Sequence, residues 1–209
     1  MGCVFTQTTW DEEGRAIRDQ DSTTFVGAIE TAEEFGNRLY LEAWNRGWDN
    51  AIKKVVIGDG SVWIWNIADQ HFPSAVQILD LYHAREHLWD LARNLYPHDE
   101  GKKQDWIDVH QPLLDQGKMK KLTVALRLIA TDNPELAEKF RGEADYFHRN
   151  ALRMRYPKFR RIHLFVGSGV IEAGCKTVIG RLKTIRHVLD SPGSQRYHCA
   201  AMLLSQRPV

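Results

Sequence analysis

Residues 55–88, VVIGDGSVWIWNIADQHFPSAVQILDLYHAREHL, constrain the fold more than any other stretch of the chain. The β-branched run Val55-Val56-Ile57 stops at Gly58-Asp59-Gly60, and a short apolar run bounded by glycines reads as a buried strand. An amphipathic segment follows over residues 61–71, and then a second apolar run, AVQIL, ends in Asp80. The pattern is strand, helix, strand. A helical crossover makes its two strands parallel, so Asp59 and Asp80 are expected at one edge of the sheet, where open α/β folds keep their ligands.

At 209 residues with 43% hydrophobic content, the chain can build an ordinary core in one large or two small domains. No run approaches eighteen apolar residues, and the first fifteen, MGCVFTQTTWDEEGR, lack the basic-then-apolar build of a signal peptide. A cytoplasmic protein without membrane contact is expected. Cys3, Cys175 and Cys199 are too few and too scattered for a disulfide framework or a cysteine-type zinc site. The net charge of +1 hides a strong asymmetry: residues 146–209 hold 12 Lys+Arg against Glu172 and Asp190, while residues 1–145 hold 16 against 25 acids. That is +10 beside −9, an acidic region adjoining one suited to a polyanion.

Ahead of the central unit, residues 2–9 and 23–29 read as two strands of a hairpin, separated by a charged, turn-like stretch over 11–21. Thr31-Ala32-Glu33-Glu34 has the form of a capping box, and Phe35, Leu39 and Ala43 at helical spacing carry a helix to about Arg46, ended by Gly47. Beyond it, Asp80 is placed to cap a helix reaching about Leu95, with Leu88, Leu91 and Leu95 on its apolar face. Pro97 breaks that helix. Helices are expected over 116–130 and, after the Asn133-Pro134 start, over 135–154, with Pro157 closing the helical region and a last helix starting near Val170.

Four features carry candidate chemistry, each with a plainer alternative. Asp59 between two glycines can be a metal ligand or a turn former. Glu172 can be a ligand or the ion-pair partner of Lys176 one turn on. His83 and His87 stand at i, i+4 on one helix face and with Asp80 could hold zinc, although no Glu follows the first His in the HExxH manner; the alternative is a helix cap and a polar cluster. From residue 146 to 171 there is no acid, while Arg149, Arg153, Arg155, Lys158, Arg160 and Arg161 alternate with Tyr146, Phe147, Tyr156 and Phe159. Such interleaving suits phosphate contact with stacking on splayed bases, against a merely solvated face. Trp63 and Trp65 are expected to pack on the sheet.

The blocks GDGSVWIWNIADQHFP, LDLYHAREHLWDLAR, RMRYPKFRR and GSGVIEAGCKTVIG, in that order, resemble the DDE-type transposases of bacterial insertion sequences, specifically the ISKra group, relatives of the Mutator-like transposases. The resemblance runs from residue 2 to about 183. It implies an α/β, ribonuclease-H-like mixed sheet whose three acids bind two Mg²⁺ or Mn²⁺ ions, with a helical insertion before the third acid. Asp59 matches the second acid and Glu172 the third, both catalytic and metal-binding. Asp80 and His83 match a Cys/Asp-x-x-His element and are taken as support around the metal edge. The implied partners are transposon-end and target DNA, held by Arg149, Arg153, Arg155, Lys158, Arg160, Arg161 and Lys176, in a homo-oligomeric active complex located in the cytoplasm at the nucleoid. The implied layout is a first core segment over 1–84, an insertion over 85–160, a return to the core over 161–183 and a divergent tail over 184–209.

One departure is expected to matter. The family's first acid stands on a central strand before the GCVFTQTT hairpin, and Met1 leaves no room for it. A vacant centre would forfeit roughly 5–9 kcal/mol, at about 1.5–3 for each of three buried side chains, against the roughly 5–15 kcal/mol that stabilises a domain. The triad would be incomplete, and the chain a transposase fragment inactive by itself or a non-catalytic DNA-binding remnant that interferes with the full-length protein.

Overall fold

The computed structural model describes residues 1–167 and the backbone of the strand over 200–205. Two compact units arise, Met1–Gln77 with Gly167–Val209, and Ile78–Val166.

The first unit is built on a mixed sheet. β1 (Gly2–Gln7) pairs antiparallel with β4 (Thr24–Val26), the expected hairpin. Within the loop joining them, β2 (Thr9–Trp10) and β3 (Ala16–Ile17) form a small ribbon of their own, where only a turn was expected. Asp11 makes that ribbon turn: it accepts the N–H groups of Glu13 and Arg15 and the Arg15 side chain at 2.7 Å. α1 (Ala32–Asn45) begins with the capping box, Thr31 and Glu34 exchanging side-chain to backbone hydrogen bonds, and stops at Gly47, whose φ of 81° suits a residue without Cβ. β5 (Lys53–Gly58), α2 (Val62–His71) and β6 (Val76–Leu79) realise the strand–helix–strand pattern.

The five-stranded sheet runs β4-β1-β7-β5-β6. Its centre is not vacant. β7 (Ala200–Ser205), from the tail expected to diverge, lies between β1 and β5, parallel to β1 from Gly2↔Ala200 to Gln7↔Ser205 and antiparallel to β5 from Lys53↔Ser205 to Gly58↔Ala200. The expectation of an unfilled central strand is therefore corrected. A row of unpaired N–H and C=O groups on both β1 and β5 is satisfied by six residues that make no close sequence neighbour of either. Val4, Phe5, Val55, Val56 and Ile57 are buried on the flanking strands, and beneath them Leu39, Ile64, Ala68 and Phe72 close the core. Trp48 meets Phe72 edge to face at 4.8 Å; Trp65 is buried, whereas Trp63 is half-buried and meets Phe35 of α1 at 6.0 Å.

The second unit is helical: α3 (Leu81–Leu95), α4 (Glu100–Asp115), α5 (Met119–Asp132), α6 (Ala137–Arg149) and α7 (Tyr156–Arg161). It leaves and returns at one place, because the Leu81 N–H donates to the Val166 carbonyl at 2.8 Å. α3 packs on α4 and α5 on α6. Arg85 of α3 grips Asp115 of α4 through two hydrogen bonds of 3.0 and 2.7 Å. Pro157 opens α7 at its first turn instead of closing the helical region, a position where its missing N–H leaves no bond unmade. Leu88, Leu91, Leu122, Leu126, Phe140, Ala144, Phe147 and Tyr156 form the interior.

Tyr156 is an anomaly within that interior. Its hydroxyl is buried and, among the described residues, has no hydrogen-bond partner. Burial foremost, and then the negative charge of Tyr146, Asp80 and Asp115, push its phenol well above the usual value of 10.0. Replacing it by Phe removes a desolvated polar atom and keeps the ring, so Tyr156→Phe is expected to stabilise the protein by about 1 kcal/mol in urea titrations near pH 7. The pH dependence follows from the sign. Because the folded-state value is raised, the contribution is whole below the unfolded pKa of about 10 and is lost as pH climbs through the folded value, so the gap between Tyr156→Phe and the parent should widen above pH 10.

Candidate functional site

Asp59 follows directly on β5. Its Oδ1 accepts the Ser61 N–H at 2.9 Å across Gly60, whose φ is 93°, so the carboxylate is held at the strand end by an Asx turn that leads into α2. The turn former and the candidate ligand are thus the same residue, with one oxygen committed to the backbone. Gly58 seats this turn against α2: a Cβ added there would lie 2.7 Å from Ile64 Cγ2 and 3.4 Å from the Trp65 ring. Gly58→Ala is expected to cost about 1–3 kcal/mol through overpacking. Thermal unfolding of the variant would check it, and an unchanged midpoint would mean that helix and strand are less closely fitted.

Asp80 follows β6 and is 4% exposed. It caps α3 as its sequence position suggested: the Tyr82 and His83 N–H groups donate to Oδ1 at 2.7 and 3.2 Å. His83 and His87 share one face of α3 one turn apart. The His87 Nε2 lies 3.2 Å from the His83 Nε2, and the His87 Nδ1 lies 2.8 Å from Glu143 Oε2 on α6. Tyr146, also on α6, stacks on the His87 ring at 4.3 Å and 14°. The His83 Nδ1 faces Glu86 at 3.4 Å. Glu143 and Tyr146 were not readable as partners of this pair, since 56 residues separate His87 from Glu143 and no local pattern joins them.

The basic segment over residues 149–161 divides its two residue types cleanly. Arg149, Arg155, Lys158, Arg160 and Arg161 are exposed, and among the described residues none of them forms an ion pair; Arg153 is half-buried and donates to Asn150 Oδ1 at 3.2 Å. The aromatic residues behave otherwise. Phe147, Tyr156 and Phe159 are buried in the helical unit and Tyr146 covers His87, so these rings serve as an anchor and not as platforms for bases. The alternation reads as an amphipathic surface with its cations outward.

Glu172 and Lys176 lie outside the described residues, as does the helix expected near Val170. Among the described residues no group of three or more His, Cys, Asp or Glu side chains is placed to hold an ion. Asp59 is the single described member of the implied triad, and β7, AAMLLS, carries no acid. The described residues alone do not fit a two-ion centre. No helix among them is long and apolar enough to cross a membrane. No family model matches the chain, and neither the curated proteins nor the solved structures include a significant match.

Proposed function

We propose that the chain is a DNA-binding protein of the insertion-sequence transposase type that holds the phosphate backbone without cutting it unaided. The observation that carries the reading is the set of five exposed cations, Arg149, Arg155, Lys158, Arg160 and Arg161, which form no ion pair among the described residues, on a scaffold that buries Phe147, Tyr156 and Phe159. Cations held outward, with no described carboxylate paired to them, favour a polyanion and release its counterions on contact. Arg153, half-buried beside Asn150, adds a sixth cation to this surface.

Strand cleavage and joining by two Mg²⁺ or Mn²⁺ ions would draw on Asp59, Glu172 and a further acid, in an oligomeric complex with transposon ends and target. The acid-free central strand favours the non-catalytic form of the proposal, in which the chain occupies DNA and interferes with a complete transposase. The test is duplex binding as a function of salt, together with a strand-transfer assay in Mn²⁺. Binding that weakens steeply with salt and yields no joined product supports the reading. Binding indifferent to salt would remove its DNA part, and joined product would show that the chain commands a whole set of acids.

A further inference from the structure

The histidine pair on α3 is not used by a phosphate-binding surface, yet its geometry is built from both sides. Glu143 faces the Nδ1 of His87 at 2.8 Å and Glu86 faces the Nδ1 of His83 at 3.4 Å, while the two Nε2 atoms face one another at 3.2 Å. A carboxylate opposite Nδ1 favours the tautomer with a proton on Nδ1, which leaves the Nε2 lone pair free. With both rings in that state, two lone pairs would repel at 3.2 Å. Something positive must stand between them, either one proton or a metal ion.

The spacing also fits a metal. Metal–nitrogen bonds of about 2.0–2.1 Å at a tetrahedral angle put two imidazole nitrogens about 3.3–3.4 Å apart, close to the separation here. The Tyr146 ring, stacked on His87, fixes the orientation of one ligand, and the i, i+4 helical spacing fixes the other. The His83 side chain is 37% exposed and that of His87 24%, so solvent can reach the pair and supply the remaining ligands. Among the described residues no third His, Cys, Asp or Glu joins them. Imidazole nitrogen with water suits borderline transition metals and not Mg²⁺.

We infer that His83 and His87 form a two-histidine site for a borderline divalent transition-metal ion of the Zn²⁺ or Cu²⁺ class, with Glu143 and Glu86 holding the rings in the ligating tautomer. When the ion binds, the one proton between the two Nε2 atoms leaves to solvent, and both Nε2 lone pairs turn to the metal. Since Glu143 and Tyr146 come from α6, the ion also ties α3 to α6. This site is independent of the DNA-binding reading.

The experiment titrates the chelator-treated full chain with Zn²⁺, and separately with Cu²⁺ and Mg²⁺, by calorimetry, while long-range ¹⁵N–¹H spectra follow the imidazole nitrogens. The expected result is loss of one equivalent of Zn²⁺, or at least a tenfold weaker affinity, in His83→Ala and in His87→Ala. Cu²⁺ should bind more tightly than Zn²⁺, and Mg²⁺ should not compete. Glu143→Ala should weaken Zn²⁺ by about 10–100-fold while leaving both ligands in place. In the unaltered protein, which needs no variant to fold, both rings should stand in the Nδ1–H form with shifted Nε2 signals once Zn²⁺ is added. Imidazole signals of His83 and His87 unmoved by saturating Zn²⁺, or equal Zn²⁺ affinity in the double alanine variant, would overturn the site.

Discussion

Chains ending before Ala200, and full-length chains carrying Met202→Pro, are expected to lose the cooperative unfolding of the sheet unit. β7 is hydrogen-bonded on both sides, to β1 through six residue pairs and to β5 through six more. Proline at its middle removes an N–H and cannot sit within a strand flanked on both edges. Truncation goes further: it splits the sheet between Val4 and Val56, which both pair with Met202, and exposes the buried residues of two strands at once. The expected loss is comparable with the roughly 5–15 kcal/mol that holds a domain together. Urea unfolding followed by circular dichroism should show the sheet transition gone, with a helical signal persisting from Ile78–Val166. A truncated protein with the parent's midpoint and slope would mean that β1 and β5 are joined by some other means.

The second large effect concerns the basic surface. Each phosphate contact contributes about 0.9 to the slope of log K against log salt, so six contacts give a slope near −5. Changing Arg155, Lys158, Arg160 and Arg161 to Ala together should bring that slope toward about −2, at about 0.9 per cation removed, and should weaken duplex binding by up to about three decades at 0.1 M salt. All four are exposed and unpaired among the described residues, so stability should stay within about 0.5 kcal/mol. The loss should be equal for unrelated sequences, because contacts to phosphates carry no base information. An unchanged slope in the quadruple variant would place the DNA elsewhere on the molecule.

How far the fold was legible depends on the range of the interactions that make each element. The capping box at Thr31–Glu34 and the cap at Asp80 are local bonds between residues two or three apart, and both stand where the sequence put them. α4 was missed, although Asp99 caps it by accepting the Lys102 N–H at 2.9 Å. Gly101 near its start and Pro112 in its last turns are poor helix formers; Pro112 is tolerated, while the apolar signal rests on Trp106, Ile107 and Leu114. β7 could not be read at all. AAMLLS is strand-like only in having neighbours, and both of those neighbours lie some 150 to 200 positions away in the sequence.

The candidate site divides in the same manner. Asp59 at a strand end and Asp80 at a helix start follow from apolar runs and the acids that end them. The outward set of the arginines also follows from the sequence, but the inward set of Tyr156 and Phe159 does not, because aromatic residues between cations fit a base platform and a core anchor equally well. What separates the two is which face the rest of the helical unit covers, and that is a tertiary fact.

The pairing of Gly2 with Ala200 has a consequence for synthesis. Residues 78–166 are complete while translation is still under way, and a unit of short-range helical contacts can settle as it emerges. The sheet cannot. Its first strand leaves the ribosome almost two hundred residues before the one that lies beside it, so β1 and β5 must wait with open edges until Ala200–Ser205 has been made, and in that interval they are exposed to whatever chaperone or stray strand arrives first.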